Sequence, residues 1–162
     1  MTLPSRRAGN IVGFLICAGL MAFALYAEHG LHLMPCPLCV LQRIAVIALG
    51  LIFLVAALHN PAGGARRVYS GLTALAAIFG VVVAGRHVWM QHLPPEKVPA
   101  CGPGLGYMIE TLPFSEVLDK VFSGSGECAE VSWSLLGLSM PEWVLIAVIC
   151  LGAGGIWNNL RR

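Results

Sequence analysis

Two cysteines three residues apart, Cys36 and Cys39, stand in the run Cys36-Pro37-Leu38-Cys39-Val40-Leu41-Gln42-Arg43. On a helix that spacing is close to one turn, so the two sulfurs can close a small disulfide ring. Arg43 falls four residues beyond Cys39, on the same helical face. The chemistry on offer is thiol–disulfide exchange. A thiolate at the start of a helix is favoured by the macrodipole, and a guanidinium one turn further on adds a second favourable charge.

The elements that must hold this pair are apolar enough to leave water. Of 162 residues, 57 % are hydrophobic and 11 % charged, and the mean hydropathy is +0.79, which excludes an ordinary soluble domain of this size. A membrane-crossing helix needs about 20 mostly apolar residues. Residues 11–27, 40–58, 68–90 and 143–157 come close to that. The sequence therefore predicts an all-α membrane protein, a four-transmembrane-helix bundle forming one integral membrane domain. Cys36 and Cys39 precede the second span, Gln42 and Arg43 interrupt its start, and Arg86 and His87 lie near the end of the third. Polar groups collect at one depth.

Charge sets the orientation. Arg6 and Arg7 precede the first span, Arg66 and Arg67 join the second to the third, and Arg161 and Arg162 follow the fourth. The positive-inside rule makes those segments, and both termini, cytoplasmic. All eight acids, Glu28, Glu96, Glu110, Glu116, Asp119, Glu127, Glu130 and Glu142, fall in or beside the two outer connections, 28–39 and 93–141. The net charge of +2 averages two unlike faces and implies no nucleic-acid partner. The first apolar stretch, followed by Ala22-Phe23-Ala24, has some character of a cleavable signal, but it outlasts a typical signal core and reads as a span. Arg6-Arg7 alone is no export signal.

Four of the six cysteines lie outside: Cys36 and Cys39 in the first connection, Cys101 and Cys128 in the second. An oxidising compartment lets disulfides persist there. Cys17 and Cys150, within apolar spans, read as small buried hydrophobes. A Cys101–Cys128 disulfide would by itself be a structural staple worth about 2–4 kcal/mol. The connection around it is long, with Pro94, Pro95, Pro99 and Pro103 and with Gly102, Gly104 and Gly106 near the first cysteine. Such loops are commonly functional. Within it, residues 116–122 have one apolar face, Ser115 can cap them, and the short helix they form is expected at the membrane surface.

Trp89, Trp133, Trp143 and Trp157 suit interfacial belts, and span glycines such as Gly71, Gly80, Gly85 and Gly152 suit close helix approach. His29, His32, His87 and His92 lie near the outer surface, and most of them read as solvated or hydrogen-bonded interface residues. No Cys-x-x-Cys-His motif is present, so covalent c-type haem is not indicated.

Over essentially its whole length the chain resembles the disulfide bond formation protein B family. The likeness rests on Cys36-Pro37-Leu38-Cys39 followed by Gln42-Arg43, on Gln91-His92, and on Cys101 with Cys128. It extends to Cys128-Ala129-Glu130 and to Leu136-Gly137-Leu138-Ser139-Met140-Pro141. The resemblance implies a multi-pass enzyme of the bacterial inner membrane. Such an enzyme reoxidises DsbA, a periplasmic thioredoxin-fold dithiol oxidase, and passes the electrons to a membrane quinone, ubiquinone or menaquinone. It implies that Cys36, Cys39, Cys101 and Cys128 are catalytic, with Cys101 attacked by the partner. It also implies that Arg43, Gln42 and His92 lie at the quinone, although His87 is nearby. Two other classes compete: a membrane cytochrome with outer-side histidine ligands, and a metal protein using the outer cysteines with His29 or His32. Neither explains the Cys39–Arg43 register, since a cation beside a metal-binding thiolate is counterproductive.

Overall fold

The computed structural model describes residues 5–98, 107, 110–113, 115–116 and 126–161. Its frame is four long helices: α1 (Arg6–His29), α2 (Pro37–His59), α3 (Ala65–Gln91) and α4 (Met140–Leu160). Each is long and apolar enough to cross a membrane, and the chain is a multi-pass membrane protein. Each helix also outruns its apolar span, because polar residues such as Arg6, Arg66 and Asn159 continue the backbone pattern past the hydrocarbon.

The ends are fixed locally. The Ser5 side chain accepts from the Ala8 N–H at 3.2 Å to start α1. Asn60 closes α2 in the left-handed conformation at φ 44°. At the start of α4 the Glu142 carboxylate folds back to accept the Ser139 N–H at 2.6 Å, a reciprocal cap. The Ser139 hydroxyl lies 2.7 Å from Gln91 Oε1, which ties the start of α4 to the end of α3.

Helix α3 packs mainly on α4, α1 on α2, and α2 on α3, with α1 closing against α4. The mid-bundle core is Cys17, Val46, Leu49, Phe53, Ala77, Val148 and Leu151. Two glycines permit this closeness: a Cβ on Gly152 would meet the Ala77 Cβ at 2.6 Å, and one on Gly155 would meet Phe53 Cε1 at 2.6 Å. At the arginine end Asn10 Nδ2 donates to Asn159 Oδ1 at 3.1 Å, and Asn158 Nδ2 donates to the Arg6 carbonyl at 2.9 Å. These amides join α1 to α4, satisfying polar groups that lipid cannot.

Several expectations change. Cys17 is buried, but Cys150 faces outward. A membrane bundle is apolar on both its faces, so hydropathy does not separate core from lipid contact. His87 is buried, 3 % exposed, and is not a solvated interface residue. The second connection also carries a hairpin: Ser134–Leu135 pairs antiparallel with Leu138–Ser139 through a turn in which Leu136 and Gly137 both have positive φ, 55° and 80°. Of the expected surface helix, Ser115 and Glu116 are helical. Residues 117–122 lie outside the described residues, as does Cys101.

Candidate active site

The connection between α1 and α2 ends at Cys36, the N-cap of α2, whose Sγ accepts the Cys39 N–H at 3.4 Å. Pro37 in the first turn loses no helical bond, since that position has no intrahelical acceptor for an N–H. The helix start therefore presents both sulfurs together. Cys36 Sγ and Cys39 Sγ are 3.1 Å apart.

Cys128, from a short 3-10 turn (Gly126–Cys128), comes down onto this pair. It is wholly buried, in a cluster with Cys36, Leu38, Val83 and Met90 against which Cys39, Leu41, Phe79 and Leu93 pack. Cys36 is hydrogen-bonded to both Cys128 and Cys39. Those contacts, the one with Cys128 first, together with burial push its thiol pKa far up. A thiol so disfavoured as thiolate is a poor leaving group, so a Cys36–Cys39 disulfide attacked at Cys36 opens with Cys39 as the leaving sulfur.

Behind the sulfurs stand two polar side chains of the bundle interior. Gln42 and His87 are both buried, with Gln42 Nε2 2.9 Å from His87 Nδ1. An amide nitrogen only donates, so with this assignment Nδ1 accepts and the ring proton sits on Nε2. His87 Nε2 lies 3.8 Å from Cys36 Sγ, and Cys39 is a neighbour of the same ring. The result is an N–H donor turned toward the inner pair.

Arg43 takes a different direction from the one its register suggested. Its guanidinium forms an ion pair with Glu28 of α1 and reaches the Ala24 carbonyl at 3.3 Å. It therefore joins α1 to α2 one turn below the cysteines. His92, the C-cap of α3, is exposed and donates from Nδ1 to the Val88 carbonyl at 2.8 Å. His29 is exposed and bonds the Leu25 carbonyl. Of the outer histidines, His87 is the one brought to the sulfurs. Its signal in the sequence was available: a histidine on α3 and a glutamine on α2 at one depth, each needing a partner inside an apolar bundle.

A paired Cys-x-x-Cys, a third cysteine delivered from a separate loop, and a hydrogen-bond donor behind them make a device for moving a disulfide from one sulfur pair to the next. A sequence model of the family described as "Disulfide bond formation protein DsbB" matches residues 6–158. The chain belongs to that family. A relative from Methylococcus capsulatus named disulfide bond formation protein B is 51 % identical over 164 residues, covering 100 % of each chain. One of the same name from Nitrosococcus oceani is 51 % identical, over 93 % of this chain and 89 % of its own. Another from Stutzerimonas stutzeri is 48 % identical over 100 % of this chain and 99 % of its own. DsbB membership makes this a membrane protein of disulfide bond formation with disulfide oxidoreductase character.

Proposed function

We infer that the chain is a thiol:quinone oxidoreductase of the bacterial inner membrane. In this reading it reoxidises a periplasmic DsbA-like thioredoxin-fold protein and passes two electrons to a membrane quinone, ubiquinone or menaquinone. The observation that carries the reading is the burial of Cys128, a residue of the second connection, against Cys36 at the start of α2.

In the first step a thiolate of the partner attacks Cys101 of a Cys101–Cys128 disulfide. A partner–Cys101 bond forms, and Cys128 leaves as a thiolate. Cys128 then attacks Cys36 of a Cys36–Cys39 disulfide. The Cys36–Cys128 bond forms, the Cys36–Cys39 bond breaks, and Cys39 takes the electron pair. The His87 N–H, its tautomer held by Gln42, faces these sulfurs and stabilises the negative charge as it appears.

The residues fit a quinone headgroup. Arg43 offers N–H donors from a partly exposed guanidinium, and the outward Ile44 and Ile47 beside it give an apolar wall. Arg43 would hold a carbonyl oxygen, with Gln42 acting through His87, while His92, exposed at the end of α3, enters only through the family resemblance. When bound, a quinone supplies a two-electron, two-proton acceptor. Such an acceptor is needed: a DsbA-like couple lies near about −120 mV, and thiol pools at roughly −180 mV and below are too reducing to reoxidise it.

Replacing Cys101 and Cys128 together by Ser tests the relay. The double variant should lose rapid oxidation of the DsbA-like protein yet still reduce quinone when a small dithiol is supplied. Loss of Cys36 or Cys39 should abolish both activities. A double variant that oxidises the partner at the unmodified rate would reduce Cys101–Cys128 to a structural staple.

A further inference from the structure

The donors gathered at the start of α2 have a second chemistry that disulfide exchange leaves unused. Cys36 Sγ, Cys128 Sγ and a ring nitrogen of His87 all lie within 4.8 Å of one another, and Cys39 Sγ is 3.1 Å from Cys36 Sγ. They come from three places in the chain: the first turn of α2, the interior of α3 and the turn at 126–128. Two sulfurs and one imidazole around a common point supply three ligands of a tetrahedral thiophilic cation and leave the fourth position to an exogenous ligand, with Cys39 Sγ beside Cys36 but outside the group. With zinc–sulfur bonds of about 2.3 Å and zinc–nitrogen bonds of about 2.0–2.1 Å, tetrahedral ligand atoms sit roughly 3.5–3.8 Å apart. The 3.8 Å between Cys36 Sγ and His87 Nε2, and the ceiling of 4.8 Å on all separations in the three-donor group, are compatible with that spacing.

We propose that in the fully reduced chain Cys36, Cys128 and His87 form a redox-gated binding site for a thiophilic divalent cation of the zinc class. Binding takes up the cation and releases the thiol protons, with no change of oxidation state. The oxidised chain lacks the site, because a sulfur in a disulfide is no longer a thiolate ligand. The surroundings favour it on two counts. The shape of the Gln42 amide is the same after a half-turn, which presents Oε1 to a proton on His87 Nδ1 and leaves the Nε2 lone pair for the cation. Metal-bound histidines commonly have such an outer partner. The positive charge of Arg43, which would oppose a cation, is paired with Glu28. A cation held there occupies the sulfurs that must re-form disulfides, so the bound chain is an off state. The site follows from the donor geometry and stands whether or not a quinone is the electron acceptor.

The test uses the whole chain in nanodiscs, reduced, freed of reductant and kept anaerobic, with Co²⁺ as the probe. One Co²⁺ per chain should bind, with sulfur-to-cobalt charge-transfer absorption and the visible bands of a tetrahedral site, both displaced by Zn²⁺. The oxidised chain should give neither. His87→Ala and Cys128→Ser should each weaken binding by about tenfold or more, while His32→Ala should not. Cys128→Ser, on a loop, keeps the test valid if His87→Ala perturbs the bundle. An octahedral spectrum, equal binding by the oxidised chain, or unweakened binding in Cys128→Ser would overturn the proposal.

Discussion

His87 and Arg43 are the side chains where sequence register and tertiary contact diverge, and each gives a distinct prediction. His87 presents an N–H at 3.8 Å from Cys36 Sγ. His87→Leu should therefore slow formation of the Cys36–Cys128 bond roughly ten- to hundredfold, the value of a hydrogen bond to a charged group at about 1.5–3 kcal/mol. His87→Gln, whose amide N–H extends about as far as Nε2, should recover most of the rate. Rapid-quench trapping of that bond in a single turnover measures it, and a wild-type rate in His87→Leu would remove the donor role. For Arg43, replacement by Ala should weaken quinone use more than exchange with the protein partner, again by roughly ten- to hundredfold. Arg43→Lys should recover only part, since a point charge replaces a planar fork. Glu28→Gln should give a smaller loss of quinone use, because Glu28 orients the guanidinium without replacing it. Unchanged apparent quinone affinity and turnover in Arg43→Ala would leave Arg43 as an α1–α2 clamp alone.

Between elements, the bundle depends on close backbone approach at α4 and on amides at the arginine end. Gly152→Leu forces a side chain into the space of the Ala77 methyl, 2.6 Å from where its Cβ must lie. It should cost about 1–3 kcal/mol, read as a lower thermal midpoint in detergent. Asn10→Leu removes the donor to Asn159 and should cost about 0.6–2 kcal/mol. Two stable variants with unchanged midpoints would mean that the α1–α4 and α3–α4 contacts contribute little. The helices themselves were legible as apolar runs of spanning length. The asparagine cluster was not, because Asn10 and the neighbours Asn158 and Asn159, 148 and 149 positions away, become partners only once α1 and α4 are side by side.

At the scale of the whole molecule, the positive-inside rule leads us to propose that 28–39 and 93–141 face the periplasm and that 60–67 and both termini face the cytoplasm. After reduction, a membrane-impermeant thiol reagent should label intact spheroplasts at Cys101. Cys128, wholly buried against Cys36, should react slowly until its loop lifts away. Labelling of Cys101 only after the membrane is broken would invert the orientation. Fast labelling of Cys128 in the resting chain would mean that the loop does not rest on the inner pair.

The sequence by itself determined the class of molecule and its chemistry. Spanning length and hydropathy require helices that satisfy their own backbone in lipid, and the Cys36–Cys39 spacing requires a pair of sulfurs one turn apart. Local capping then sets Cys36 at the mouth of α2. Only the tertiary structure decided which residues of other elements meet that pair. Cys128 is 89 positions from Cys39, and nothing in its neighbours fixes whether its loop docks on Cys36 or stands apart. Gln42, His87, Arg43 and Glu28 were all visible as polar residues near one depth. Their pairing, Gln42 with His87 and Arg43 with Glu28, follows from helix rotation. In a bundle apolar on every face, rotation is set by packing between helices and not by the hydrophobic pattern along any one of them.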